Sequence, residues 1–128
     1  MTFLRTLLLS LALVFSASSA AWPQDFSKGL EAARASDYAT ALQEWRPLAE
    51  QGDASAQHNL GVMYDNGRGV PQDFVLANMW ANIASANGGL KAGELREFIA
   101  DKMSSADIST TQSMAGRCMA SDYADCGG

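Results

Sequence analysis

Two segments of this chain repeat each other at a constant distance of 36 residues. The matched positions are Asp37-Tyr38 with Asp73-Phe74, Ala41 with Ala77, and Gln51-Gly52 with Asn87-Gly88. A period of this length is typical of stacked helical hairpins, in which each hairpin buries its apolar face against its neighbours. The spacing therefore predicts an all-α stack of about six helices, an architecture that favours holding a partner over carrying out chemistry.

The first 21 residues have the layout of a secretory signal peptide. Arg5 provides the positive charge, residues 7–15 form an apolar run, and residues 16–21 are small enough for cleavage before Ala21 or Trp22. An uncleaved anchor is the alternative, although the apolar run is shorter than the roughly 20 residues that a spanning helix needs. We therefore expect a protein exported to the periplasm or the extracellular space, with no membrane span after cleavage.

The remaining chain is long enough for one modest domain. We expect a single helical-repeat domain over residues 22–128. Its expected parts are an imperfect first hairpin (22–52), one complete repeat (53–88), and capping helices with a disulfide-tied tail (89–128).

The exported part of the chain is acidic. Without Arg5, eight basic side chains remain against fourteen acidic ones, which gives a net charge near −6. Nucleic-acid binding requires clustered Lys and Arg side chains that contact phosphates. The composition therefore excludes a general nucleic-acid binder and leaves protein partners as the expected class.

The two cysteines, Cys118 and Cys126, both lie near the C-terminal end. In an oxidising compartment a disulfide is the expected state of such a pair. Metal binding is the alternative, but two thiols and the distant His58 do not make a zinc site. We expect a disulfide between these cysteines, and we expect no metal or other cofactor.

The chain shows helical spacing throughout and no alternating pattern that would indicate a strand. Asp37 and Asp53 are predicted N-caps, and Ser104 begins a capping signal for the last helix. Pro47 predicts a bend or an irregular turn, and Pro71 suits a first helical turn. The first five predicted helices cover about residues 25–34, 38–51, 53–65, 72–87 and 90–103, and a sixth follows the capping signal and carries Ile108, Ala115 and Cys118.

Small residues and large aromatic residues alternate in a way that helix stacking explains. Gly61 allows a neighbouring helix to approach closely, and Tyr64 fills space between hairpins. Trp45 and Trp80 could be interpreted as a ligand-stacking pair, but their helical spacing is more typical of core positions.

The longest patterned segment resembles the repeat of the Sel1-like repeat family, a relative of the tetratricopeptide repeats. The matching positions are Ala56-Gln57, Leu60-Gly61, Met63-Tyr64, Gly67, Gly69-Val70, Gln72-Asp73, Ala77 and Trp80. The resemblance implies a right-handed superhelical stack whose concave face binds proteins, and it implies no catalytic residue. One secreted branch of the family carries cysteine pairs with seven intervening residues, and Cys118 and Cys126 have that spacing. β-Lactam binding is associated with some members of that branch.

The sequence contains no recognisable catalytic group of side chains. His58 is the only histidine, and a surface or structural role suits it better than catalysis. Asp65 and Asp73 flank the glycine loop, where helix capping explains them better than a carboxylate pair. The loop also lacks the lysine that a phosphate-binding loop requires.

We therefore expect an exported adaptor or scaffold for protein–protein interaction in the periplasm or cell envelope, and not an enzyme. A helix-lined groove takes a peptide or a helix through a few anchoring side chains. The alternatives are a self-associating structural protein and, less in keeping with the residues, a secreted enzyme or a small-ligand (β-lactam-type) binder. The candidate partner-binding side chains lie on the third helix, away from its apolar face: Ser55, His58, Asn59, Val62 and Asp65.

Overall fold

A computed structural model describes residues 24–127 of the chain. Within that range the chain forms six α-helices and no strand, which confirms the expected all-α fold. The helices are α1 (Phe26–Arg34), α2 (Tyr38–Glu50), α3 (Ala54–Asn66), α4 (Phe74–Ala86), α5 (Ala92–Ala100) and α6 (Ser105–Ala120). The predicted signal peptide lies outside the described residues, so its assignment stays a prediction.

The helix starts follow from short polar side chains at the N-cap positions. Asp37 caps α2, Asp53 caps α3, and Ser104 caps α6, as predicted. Asp73 caps α4 by accepting a hydrogen bond from the backbone N–H of Leu76 at 3.0 Å. Because an N-cap residue lies just outside its helix, α4 begins at Phe74, and the prediction that Pro71 occupies its first turn is wrong.

The helix ends explain why glycine recurs 36 residues apart. Gly52 follows α2 with a φ angle of +93°, and Gly88 follows α4 with a φ angle of +80°. Each positive φ turns the chain so that the next N–H reaches back into the helix: Asp53 donates to the carbonyl of Leu48 at 3.0 Å, and Gly89 to that of Ala84 at 2.8 Å. Glycine reaches this conformation without a steric cost, so both helices stop there.

Two predicted details of the helices differ from the structure. The helix α2 runs without interruption through Pro47, three residues before its end, so no irregular turn occurs there. The helix α5 begins at Ala92 and not at Leu90, because Lys91 has a φ angle of +60° and cannot belong to a right-handed helix. Leu90 consequently lies in the connection between α4 and α5.

The stack is centred on the hairpin of α3 and α4. On one side α2 packs against α3 and α1 packs against α2, while on the other side α5 and α6 both pack against α4. Gly61 permits the close approach of α3 to α4, since a Cβ atom there would lie 3.2 Å from the carbonyl oxygen of Ala77. Trp45 and Trp80 are 4% and 2% exposed, which confirms their assignment to the core.

A fully buried amide connects three layers of the stack. The Gln57 side chain of α3 donates from Nε2 to the carbonyl of Ala49 in α2, at 2.9 Å. Its Oε1 accepts from Nδ2 of Asn87, which also donates to the hydroxyl of Tyr123, each at 2.9 Å. Because buried polar groups are costly unless they are hydrogen-bonded, this chain of bonds fixes the relative positions of α2, α3 and the C-terminal tail.

The predicted cysteine pair is present. The sulfur atoms of Cys118, in α6, and Cys126, in the tail, are within bonding distance, and their Cα atoms lie 4.4 Å apart. The bond holds the tail so that Tyr123 reaches Asn87 at the end of α4.

Reduction of this disulfide is expected to lower the free energy of unfolding by about 2 kcal/mol, because a short loop in the unfolded chain is no longer closed. The central repeat should remain helical, since α3 and α4 are held by their own packing. Thermal unfolding followed by circular dichroism, with and without dithiothreitol, measures the difference. The double variant Cys118→Ser/Cys126→Ser should match the reduced protein and should not respond to the reductant. An unchanged melt would contradict the stabilising role of the bond.

Candidate partner-binding site

A half-open cavity of about 330 Å³ lies where α1, α3 and the α4–α5 connection meet. It is lined by residues from the first two turns of α3, by Phe26 of α1, and by the connection. The lining residues are Phe26, Ala54, Ser55, His58, Asn59, Gly88, Gly89 and Leu90.

Three of the five predicted partner-binding residues line this cavity: Ser55, His58 and Asn59. Ser55 is exposed, whereas His58 and Asn59 are half-buried. Val62 is also half-buried, but it lies one turn further along α3 and is not part of the lining. The cavity therefore lies along the N-terminal half of α3 and not along its whole length.

Asp65 does not belong to this site. Its side chain is buried, and its Oδ1 atom accepts a hydrogen bond from Nζ of Lys102 at 2.7 Å. The segment after α5 covers this part of α3, which the sequence pattern did not reveal. The prediction that Asp65 faces a partner is corrected accordingly, and Asp65 is not a helix cap either.

Two polar atoms beside the cavity have no hydrogen-bond partner. They are Nδ1 of His58 and Nδ2 of Asn59, and both are buried. Burial lowers the pKa of His58 below its ordinary value of 6.5, because removal from water disfavours the charged ring. The imidazole is therefore neutral near pH 7, with one nitrogen that donates and one that accepts.

The sequence pattern missed the residues that complete the cavity. Phe26 and the Gly88-Gly89 pair are not among the candidate residues that the sequence predicts. Leu90 was placed inside the fifth helix, although it is 90% exposed in the structure. A Gly-Gly pair followed by a leucine was the available signal, because a leucine in a connection has no helix face on which to be buried.

A second, smaller cavity of about 70 Å³ lies under the C-terminal tail. Its lining includes Tyr64, whose hydroxyl accepts a hydrogen bond from Arg46 at 3.0 Å, and Trp80. Tyr123 and Cys126 cover it. This volume is well below the range that is typical of ligand sites.

Metal sites and membrane-spanning helices were also sought among residues 24–127. Across residues 24–127 no group of three or more His, Cys, Asp or Glu side chains is placed to hold a metal ion. Among the six helices of that range, none is long and apolar enough to cross a membrane.

Short antiparallel helical hairpins stacked side by side define a protein of the tetratricopeptide-like repeat class. Residues 54–89 match the family model described as Sel1 repeat. The match covers 36 of the 128 residues, so this segment is similar to one Sel1 repeat, and proteins with such repeats are typically non-catalytic scaffolds for protein–protein interaction. No curated protein and no solved structure matched the chain. Six of the eight cavity-lining residues lie inside the matched repeat, and Phe26 and Leu90 lie outside it.

The state of His58 makes stability depend on pH. The unfolded chain keeps the ordinary pKa of 6.5, whereas burial lowers the pKa of the folded protein. As the pH falls through 6.5 towards the folded value, the unfolded state takes up a proton that the folded state resists, so the free energy of unfolding decreases.

Urea denaturation at several pH values between about 7.5 and 5 measures this dependence, and the variant His58→Gln serves as the reference. On acidification the free energy of unfolding should fall by more in the unsubstituted protein than in the variant. The lowered pKa values of Asp37 and Glu44 add a further loss at lower pH, but both proteins share it. A difference that stays constant with pH would contradict the buried, neutral state of His58.

Proposed function

We propose that this chain is an exported helical-repeat adaptor that binds a protein partner in the periplasm or cell envelope. The observation that carries the proposal is the cavity on α3, where an exposed serine and two unpaired polar atoms lie beside an exposed leucine. An unpaired buried polar atom and an exposed large apolar side chain each make the isolated protein less stable. A partner that covers this surface removes the exposed side chain of Leu90 from water.

Export is supported by two independent features. The first 21 residues have the composition of a signal peptide. The Cys118–Cys126 pair is at disulfide distance, which is compatible with an oxidising compartment.

A non-enzymatic role is part of the proposal. His58 is the only histidine in the sequence, and the described contacts give it no carboxylate or hydroxyl partner of the kind that activates a catalytic imidazole. Proteins with Sel1 repeats are typically non-catalytic as well.

Self-association is the second candidate. Phe98 on α5 and Met119 on α6 are 57% and 38% exposed, and they lie on the last two helices of the stack. A second copy could cover apolar surface at that end.

Site-specific photocrosslinking in the cell envelope separates these functions. We would place a photoreactive amino acid in the full-length protein at Ser55, in the cavity, or at Ser113, which is exposed on α6. An adaptor should give a discrete product with another protein from position 55 and much less from position 113. A product with the mass of two copies would favour self-association. No product from position 55 would contradict the adaptor function.

A further inference from the structure

The C-terminal tail, residues 121–127, follows α6 in a backbone conformation that its own residues disfavour. Asp122 and Tyr123 have φ angles of +53° and +65°, and neither is a glycine. The left-handed conformation is costly for a residue with a Cβ atom, and here two such residues follow one another. Residues of this kind keep that conformation only where the surrounding contacts enforce it. The contacts of the tail therefore decide whether it stays in place.

Few contacts hold the tail against the rest of the stack. The backbone N–H of Tyr123 donates to the carbonyl of Cys118 at 2.8 Å, within the last turn of α6. Among the described residues, one hydrogen bond links the tail to an element other than α6: Nδ2 of Asn87 donates to the Tyr123 hydroxyl at 2.9 Å. Asn87 is exposed, so water competes for this bond. The disulfide at Cys126 is therefore the principal restraint on the far end of the tail.

The tail covers aromatic side chains of the repeat. Tyr123 and Cys126 line the cavity of about 70 Å³ from the side of the tail, and Tyr64 and Trp80 line it from the side of the repeat. Tyr64 is 6% exposed and Trp80 is 2% exposed. When the tail moves away, this cavity loses one wall, and water reaches both aromatic side chains.

The two sulfur atoms of the disulfide differ in their access to solvent. Cys118 is fully buried, whereas Cys126 is half-buried. A thiolate that reduces a disulfide bonds to one sulfur and displaces the other. The accessible route is attack on Sγ of Cys126, which breaks the bond to Cys118 and releases that sulfur as a thiolate, which takes up a proton. A second thiol of the same reagent then displaces Cys126, so the protein gains two thiols and the reagent becomes a disulfide.

From these features we propose that the tail is a lid latched by the disulfide, and that a dithiol opens it by attack at Cys126. Reduction removes the connection that enforces the left-handed residues, so the tail leaves the stack and uncovers the aromatic side chains beneath it. The helices α3 and α4 stay paired, because their packing does not involve the tail. The lid does not depend on the proposed adaptor function. It gives the chain a second state that responds to a molecule carrying two neighbouring thiols.

Hydroxyl-radical footprinting with peptide mass spectrometry tests the opening of the lid. The protein is compared in its oxidised form and after treatment with dithiothreitol, with the reductant removed under nitrogen before exposure. Oxidation of Trp80 should rise several-fold on reduction. Trp45 is an internal control, since it is 4% exposed and does not line the cavity under the tail. Its oxidation should stay unchanged, because a general loss of stability leaves both indoles protected in the folded molecules that predominate.

Two variants separate the latch from the other contacts of the tail. Cys118→Ser/Cys126→Ser should expose Trp80 as reduction does and should not respond to dithiothreitol. Tyr123→Phe removes the hydroxyl that accepts from Asn87 but keeps the disulfide, so Trp80 should stay protected.

The position of attack is tested with reduced glutathione, a monothiol that forms a mixed disulfide with the sulfur it attacks. After rapid quenching in acid, peptide mapping should find glutathione on Cys126 and not on Cys118. The inference is overturned if Trp80 stays protected after reduction, if Trp45 and Trp80 become reactive together, or if Tyr123→Phe alone exposes Trp80. Glutathione found mainly on Cys118 would overturn the assigned position of attack.

Discussion

Replacement of Gly29 by alanine is expected to lower the free energy of unfolding by about 3 kcal/mol, the upper end of the usual effect of overpacking. A Cβ atom on Gly29, within α1, would lie only 2.7 Å from Cε2 of Trp45. The indole cannot move aside easily, because it is 4% exposed and donates from Nε1 to the carbonyl of Phe26 at 3.2 Å. The substitution therefore either pushes α1 away from α2 or forces Trp45 out of its position.

The matched control is Gly116→Ala in α6. Gly116 is exposed, and a Cβ atom there meets nothing within 4 Å. Because alanine favours the helix over glycine by about 0.8–1 kcal/mol, this variant should be more stable than the original protein. Urea denaturation followed by circular dichroism measures both. The same chemical change should thus have opposite effects at the two positions, and equal stabilisation would show that Gly29 is not required by Trp45.

Replacement of Lys102 by methionine is expected to lower the free energy of unfolding by about 2–3 kcal/mol, because it leaves the carboxylate of Asp65 buried without its cation. The side chain of Asp65 is 8% exposed, and Nζ of Lys102 lies 2.7 Å from its Oδ1. The same ammonium lies 4.1 Å from the ring centroid of Phe98 and 5.1 Å from that of Phe74. The side chain of Lys102 is 33% exposed. The loss of stability should therefore be smaller than for a fully buried ion pair.

A double-mutant cycle measures the interaction between Asp65 and Lys102 apart from the other contacts of each side chain. The variant Asp65→Leu/Lys102→Met should recover much of the lost stability, because it leaves no buried charge. Lys28→Met is the matched surface control: Lys28 pairs with Glu44 at 3.2 Å, but its side chain is 62% exposed. Its effect should be smaller than that of Lys102→Met, because the ammonium of Lys28 lies largely in water even though the side chain of Glu44 is only 13% exposed. Equal losses for Lys102→Met and Lys28→Met would mean that the burial of Asp65 has no energetic consequence.

The parts of the fold that could be predicted from sequence are those decided locally. An aspartate that accepts from the N–H three residues later, as Asp37 and Asp73 do, starts a helix from information within one turn. The glycines at 52 and 88 end helices in the same local way. Six helices and their order follow from such signals, and the helix boundaries of α1 and α3 differ from the prediction by only one residue.

The cavity could be predicted only in part, because it depends on elements that are distant in sequence. Ser55, His58 and Asn59 were identified because they lie off the apolar face of one helix. Their neighbours in the cavity come from residue 26 and from residues 88–90, and only the tertiary packing brings these together. Asp65 was misplaced for the same reason, since the covering Lys102 lies 37 residues away in the sequence.

The way in which α1 is attached has a consequence for the affinity of the site. Among the described helices α4 packs against three others, whereas the main contact of α1 is with α2 alone. A helix held by one neighbour opens with a smaller free energy than the core of the stack, and its amide protons exchange faster. Phe26 belongs to that helix and lines the cavity. A ligand that contacts Phe26 can therefore bind only while α1 is packed against α2, and the free energy of that packing enters its affinity. The affinity of the cavity is therefore coupled to the local unfolding of α1.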